Sequence, residues 1–85
     1  MLPIDNNLRY AGTYLIEAID KTLSSYNLKS DTKWIGDNAF KGCENLSDIN
    51  LPRGLKGIGN YAYKNCTNVY SLNIPEGVRG SFRRV

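Results

Sequence analysis

The sequence predicts a short α/β repeat solenoid with an N-terminal β-hairpin cap, and three observations support this prediction. Residues 35–57 and 58–80 align without a gap and are identical at ten of 23 positions. An L-x-x-L-x-L pattern occurs three times in the same frame, at 23–28, 46–51 and 69–74. Upstream of residue 23 the pattern changes to two apolar runs around a glycine. Copies of this length bury an apolar face only by stacking on one another, which is the principle of a solenoid.

The predicted cap comprises residues 1–22. Within it, segments 8–10 and 13–18 are typical of strands, and Ala11-Gly12 supplies the turn of a hairpin. Such a hairpin would cover the open end of the first copy of the repeat. We therefore divide the chain into a cap (1–22), repeat rungs (23–80) and a short basic C-terminal tail (81–85).

The L-x-x-L-x-L segment is predicted to be a short strand in each copy. Alternation along a strand would turn Ile49 and Leu51 toward the core and Asp48 and Asn50 toward solvent. Pro52 lacks a backbone N–H and would end the strand.

The other half of each copy is predicted to be helical. Asp37 and, in the next copy, Asn60 are residue types that cap helix N-termini. Their helix would turn one apolar face inward, made of Ala39, Phe40 and Cys43. Asn45 and Asn68 follow this half in the two copies, where a buried amide can bond to the backbone of a neighbouring copy.

Composition argues against catalysis. The chain has 85 residues, no histidine and a net charge of +3. Without histidine, Ser-His-Asp and Cys-His mechanisms and His-ligated metal sites are excluded. Two cysteines are too few for a disulfide scaffold or a zinc site. We therefore expect a non-enzymatic protein with no catalytic residues, no metal and no cofactor. We also expect no membrane insertion, because no apolar run is long enough to span a membrane.

The two cysteines occupy equivalent repeat positions. Cys43 and Cys66 should therefore be neighbours on adjacent rungs. Buried thiols that pack as small hydrophobes are the favoured interpretation. A disulfide and a reactive nucleophile are the two alternatives, the second being weakened by the lack of a nearby base.

The outward positions of the three predicted strands form polar columns. Solenoids commonly bind partners on the concave strand face, so these columns are the predicted partner-binding site. Its residues are Ser25, Asn27, Ser47, Asp48, Asn50, Tyr70, Ser71 and Asn73. Tyr70 is the strongest single anchor, because an exposed tyrosine offers a large contact area at low entropic cost. The alternative is a solvated sheet whose asparagines bond to one another.

The aromatic residues are assigned mainly to packing. Trp34 stands where the following copies have Gly57 and Gly80, and we expect it, with Tyr10 and Tyr14, in the core or cap of the first rung. Lysines and aromatics alternate near Tyr61, as they do on surfaces that bind nucleic acid. The sequence has no dense cationic stripe, however, and this argues against nucleic acid as a partner.

The C-terminal residues begin a fourth rung and then stop. An open rung invites pairing, so we predict weak self-association through Phe82, Arg83 and Arg84, or a natural partner that covers this end.

The repeat also resembles a known family. The run IGDNAFKGCENLSDINLP, residues 35–52, is similar to the 23-residue leucine-rich repeat of BspA-like bacterial surface antigens, and the resemblance extends over 23–80. It implies a short leucine-rich repeat solenoid without enzymatic activity that binds proteins or matrix, secreted or on the cell surface. The start of this chain lacks the features of a signal peptide, which suggests a cytoplasmic location instead.

Three functions follow from these expectations. The first is protein–protein interaction through the concave strand face, as part of a bacterial surface adhesin. The second is a small stand-alone intracellular binder that inhibits a larger host or phage protein machine. A carbohydrate-binding module is a third and weaker alternative, because Asn, Asp and Tyr side chains on a flat face can recognise sugars.

Overall fold

The computed structural model describes the backbone of residues 4–5, 7–69 and 79–80 and the side chains of residues 7–69. Its strands form one six-stranded sheet in which neighbours follow chain order. The strands are β1 (Ile4–Asp5), β2 (Leu8–Ala11), β3 (Tyr14–Ala18), β4 (Trp34–Ile35), β5 (Gly57–Ile58) and β6 (Arg79–Gly80).

The N-terminal strands confirm the predicted hairpin. β2 and β3 pair antiparallel, with Ala11 opposite Tyr14 at the turn and a bulge between Arg9 and Tyr10. Gly12 has a φ of 60°, a left-handed conformation that glycine adopts without the usual side-chain clash. β1 extends the hairpin by pairing antiparallel with β2.

From β3 onward the sheet is parallel, and β3 of the hairpin is followed by β4, β5 and β6, which come from successive copies of the repeat. Trp34 pairs with Gly57, which lies 23 residues later, the period of the alignment. Between β5 and β6 the register differs, because Gly57 pairs with Arg79 rather than with its sequence equivalent Gly80. The sheet therefore brings successive copies side by side through strands of only two residues.

The prediction of a helical half is wrong over the part of the chain that the structure describes, where residues 37–42 and 60–65 form consecutive turns. Asn38 and its equivalent Tyr61 have φ values of 61° and 59°, which a right-handed helix does not accommodate. Asp37 does not cap its own turn either. Its Oδ1 accepts the N–H of Asn60 in the next copy at 2.7 Å.

The backbone hydrogen bonds show why turns replace a helix. Alternate N–H groups donate to carbonyls of the following copy, in the pairs Asn38–Asn60 at 3.0 Å, Phe40–Ala62 at 2.7 Å and Gly42–Lys64 at 2.8 Å. The N–H groups between them donate three residues back, in the pairs Ala39–Gly36 at 3.2 Å, Lys41–Asn38 at 3.1 Å and Cys43–Phe40 at 3.1 Å. This stretch thus divides its donors between its own turns and the neighbouring copy, whereas a helix would use them all internally.

Two of the L-x-x-L-x-L segments, 23–28 and 46–51, lie within the described residues, and they pair without forming the continuous strands that we predicted. One parallel bridge joins Ser25 to Asp48, and the N–H groups of Ser47 and Asp48 both donate to the carbonyl of Ser24. Serine, asparagine and aspartate compete for backbone hydrogen bonds and are depleted in strands, which explains the short pairing. Nearby, the predicted bond from Asn45 is confirmed, since its Nδ2 donates to the carbonyl of Thr22 at 3.0 Å, although Asn45 is exposed.

The apolar positions of the copies form one core. Its centre is a column of rings in which Phe40 lies 5.2 Å from Tyr26 and 5.1 Å from Tyr63 between centroids. Ile49 and Leu51 are half-buried and pack against this core from the side. The other buried apolar residues are Leu8, Tyr10, Leu15, Ala18, Ile35, Ala39, Cys43, Leu46, Leu55, Ile58, Ala62 and Cys66.

Candidate functional site

The described part of the predicted partner-binding site forms an exposed surface, which we call the polar face. It consists of Ser25, Asn27, Ser47, Asp48 and Asn50, all of them exposed. The bridge between Ser25 and Asp48 places side chains from two successive copies next to one another. The structure therefore brings Ser25 and Asp48 together across two copies. That the five residues serve as one binding surface stays a prediction.

A small, partly open space borders the polar face. This space of about 10 Å³ lies between the polar face and the aromatic column and is lined partly by Asp48, Ile49 and Asn50. A space of this size holds at most about one water molecule. The polar face thus offers a surface rather than a pocket, and it is suited to another macromolecule more than to a small ligand.

The remaining predicted site residues lie outside the described part of the chain. They are Tyr70, Ser71 and Asn73 of the binding site and Phe82, Arg83 and Arg84 of the self-association end. Their assignment, including that of Tyr70 as the anchor, stays a prediction.

Both cysteines are buried and are present as free thiols. The thiol of Cys66 donates to the carbonyl of Phe40 at 3.1 Å. Tyr26 lies with its hydroxyl 3.7 Å from the Cys43 sulfur and donates to the carbonyl of Asp20 at 2.5 Å. Burial raises the pKa of both thiols, that of Cys66 to about 11. Thiols held protonated in this way are poor nucleophiles, and their place in the core is structural.

Alkaline pH should destabilise the fold. Burial raises the pKa of Cys66 to about 11, against 9.0 for a free thiol, and also raises the pKa of the Tyr63 hydroxyl. Above pH 9 the unfolded chain releases these protons while the folded chain retains them, so the free energy of unfolding falls as pH rises. Each group that is ionised in the unfolded chain and protonated in the folded chain lowers the free energy of unfolding by at most about 1.4 kcal/mol per pH unit.

Urea unfolding at a series of pH values measures this effect. We expect a constant midpoint from neutral pH to just below 9 and a steady decrease above it. The double variant Cys66→Ala/Tyr63→Phe should show a shallower decrease, because it lacks two of the ionising groups. A midpoint that rises above pH 9, or an equal slope in the variant, would contradict the assignment.

A second surface was missed by the sequence analysis, which assigned Trp34 and Tyr14 to core or cap packing. They are instead 43% and 42% exposed, on neighbouring parallel strands and directly opposite one another. Tyr10 is buried as expected. The signal for this surface was present in the sequence, because a tryptophan at an outward strand position replaces the glycine of the following copies.

The two rings border an open groove of about 160 Å³, which we call the Trp34 groove. It is lined by Tyr14, Trp34, Ile35, Gly57, Ile58 and Gly59. The Tyr14 ring lies across Gly36, where a Cβ would come within 2.9 Å of the phenol oxygen. On the next strand, Gly57 pairs with Trp34 and lines the groove, although Gly57 itself is buried.

Two further features of the described residues concern metal binding and membrane insertion. Residues 7–69 contain no group of three Cys, Asp or Glu side chains placed to hold a metal ion. The same part of the chain has no helix with the length and apolar character needed to cross a membrane.

Comparison with known proteins adds one finding. A family model described as a BspA type leucine rich repeat region matches residues 2–82 in six copies. Neither a curated protein nor a solved structure was found to match.

Proposed function

The chain belongs to the BspA-type leucine-rich repeat family, and we propose that it is a non-enzymatic interaction module whose polar face binds a protein partner. Leucine-rich repeat families generally mediate protein–protein interaction and are typically non-enzymatic. The observation that carries the proposal is the Ser25–Asp48 bridge, which joins exposed polar residues of successive copies into one surface.

The proposal includes the architecture around this face. Residues 23–80 would be rungs of a short solenoid with a 23-residue period, the hairpin of residues 1–22 its cap and residues 81–85 a tail. The supporting contacts are Ser25–Asp48 and Trp34–Gly57, each between residues 23 positions apart. In this arrangement the polar face lies on the concave side, where solenoids offer extended binding surfaces.

The chemistry of the polar face favours a protein. Among the described residues of the polar face, Asp48 is the one charged side chain. Protein interfaces combine hydrogen-bonding groups with large flat contact areas, whereas small ligands need a concave pocket. Whether the chain acts within a surface adhesin or as an intracellular inhibitor would determine which protein it binds. It would not change which face of the chain forms the contact.

A paired set of variants tests the polar face. Asp48→Arg/Asn50→Arg places two cations on it, and Glu44→Arg/Thr67→Arg makes the same charge change at two exposed positions in the turns. Each variant and the wild type would be used for quantitative capture from producer-cell lysate and from secreted and surface proteins. We expect one protein to be retained by wild type and control and to fall at least about tenfold with the polar-face variant, the effect of losing roughly 1.4 kcal/mol.

Three results would contradict the proposal. The first is an equal fall in capture with both variants, which would mean that the location of the charge does not matter. The second is that no protein is retained in stoichiometric amount. Retention on a polysaccharide array that the polar-face variant abolishes would favour the carbohydrate-binding alternative. Circular dichroism of each variant confirms that folding is preserved.

A further inference from the structure

The Trp34 groove has a cationic rim. Lys33 immediately precedes Trp34, Lys56 immediately precedes Gly57, and the N–H of Lys56 donates to the carbonyl of Lys33 at 2.7 Å. The ammonium of Lys33 lies over Gly54, 2.9 Å from where a Cβ would stand, and Arg53 is exposed beside it. Lys33 and Lys56 therefore stand directly before the two strands that line the groove, and Arg53 lies in the turn that precedes Lys56.

Charge on the described surface is unevenly distributed. The stacked turns 29–33 and 52–56 carry four cations, Lys29, Lys33, Arg53 and Lys56, against one carboxylate, Asp31. The other described residues from 7 to 69 carry four cations and five carboxylates. At the far end of the groove, Asp37 lies next to Gly59 and binds the N–H of Asn60. Cations therefore outnumber carboxylates in the two turns that precede the groove strands, and a carboxylate lies at the opposite end.

We propose that the Trp34 groove is a second binding site, and that it takes an acidic segment of a partner protein with one apolar side chain as its anchor. The anchor packs against the faces of Trp34 and Tyr14 over the bare backbone of Gly57. Carboxylates next to the anchor pair with Lys33, Lys56 and Arg53. A buried apolar contact surrounded by complementary charge is the usual anatomy of an energetic centre in a protein interface.

The size of the groove selects this occupant. Its volume of about 160 Å³ is well below the roughly 300–1,000 Å³ of pockets that enclose drug-sized ligands, and it suits a single side chain. Single-stranded nucleic acid would need a cationic track with successive aromatic platforms. Here the residue that pairs with Trp34 on the next strand is Gly57, so the strand after Trp34 offers no further aromatic platform. The cations also lie near one end of the groove and do not form a track along it. Charge and shape together favour an acidic peptide.

Trp34 itself provides the measurement, because it is the one tryptophan of the chain. The full chain would be titrated with an acidic peptide of Glu and Asp residues around a central Phe, and indole emission followed at low salt. We expect a saturable change with a dissociation constant below about 1 mM. The same peptide with Gln and Asn in place of the acids should bind at least about tenfold more weakly, and added salt should weaken the acidic peptide.

Charge-matched variants locate the site. Lys33→Glu/Lys56→Glu should weaken the acidic peptide at least about tenfold, whereas Lys21→Glu/Lys41→Glu, with the same net charge and exposed positions, should stay within about twofold. Trp34→Ala, followed by anisotropy of a labelled peptide, should lose binding while remaining folded by circular dichroism.

The proposal is overturned if no saturable binding occurs, if the neutral peptide binds equally well, or if both lysine pairs weaken binding to the same extent. Tighter binding of an oligothymidylate than of the acidic peptide would overturn it in favour of nucleic acid. Because the polar-face variants leave Lys33, Trp34 and Lys56 intact, failure of this site and failure of the polar face are distinguishable.

Discussion

Replacing Phe40 by alanine should unfold a large fraction of the protein. Phe40 is 1% exposed and lies between the rings of Tyr26 and Tyr63, at centroid distances of 5.2 and 5.1 Å. Truncating a buried phenylalanine costs about 3–5 kcal/mol, through lost transfer free energy and the cavity left behind. Small domains have total stabilities of only about 5–15 kcal/mol, so little of the margin would remain.

Chemical denaturation followed by circular dichroism measures this loss. Trp34→Ala is the matched control, since it truncates an even larger ring that is 43% exposed, and it should cost less than about 1 kcal/mol. Phe40→Leu keeps most of the apolar volume and should fall between the two. If Phe40→Ala cost less than Trp34→Ala, the aromatic column would not be the centre of the core.

The core was predictable because apolar spacing is preserved in both copies. Phe40 and Tyr63, like Cys43 and Cys66, occupy equivalent positions and are all buried. Burial follows the apolar pattern whether the backbone between the residues is helical or turned. The apolar pattern therefore predicts the burial of Ala39, Phe40 and Cys43 correctly, although these residues lie in or beside turns and not in the predicted helix.

The missing helix illustrates what local pattern does not contain. Asp37 has the right chemistry for an N-cap, and the spacing of Ala39, Phe40 and Cys43 fits a helical face. Hydrogen bonds to the next copy override these local preferences. The Asp37 carboxylate accepts a backbone N–H of that copy, and alternate backbone N–H groups donate to its carbonyls. Such bonds join residues about 23 positions apart, and propensity within one turn cannot reveal them.

The Trp34 groove shows a different kind of failure. Tryptophan is usually largely buried, and this preference assigned Trp34 to the first rung. Its position opposite Tyr14, on the exposed side of a two-residue strand, depends on where the parallel sheet forms. The sequence pattern places the main strands at the L-x-x-L-x-L segments, which leaves the residues around Trp34 as a connection rather than as part of a surface.

Gly59→Ala should be the most damaging single-methyl change in the described part of the chain. A Cβ at Gly59 would overlap the Asp37 carboxylate and backbone N and come within 2.7 Å of the Gly36 carbonyl carbon. The N–H of Gly59 also donates to the carbonyl of Ile35 at 2.7 Å, which fixes the two copies at this distance. Separating them would strain or break contacts on both sides, at a cost of about 2–3 kcal/mol.

Gly42 is a control position where the backbone conformation, and not a lack of space, favours glycine. Gly42 has a φ of 80° and open space around its Cα, so alanine there should cost only about 1–2 kcal/mol, from the left-handed backbone. Asparagine tolerates that conformation and occupies the equivalent position as Asn65, with a φ of 64°. Gly42→Asn should therefore be better tolerated than Gly42→Ala.

At Gly59 the order should reverse, because the constraint is the space between two copies and not the backbone dihedral. Gly59→Asn adds more atoms to the same overlap and should be worse than Gly59→Ala. Thermal and urea unfolding of the four variants gives both comparisons at once. If asparagine were better than alanine at both positions, the close approach of Gly59 to Asp37 would not limit stability. If it is better only at Gly42, the tight spacing of adjacent copies is what requires a glycine at position 59.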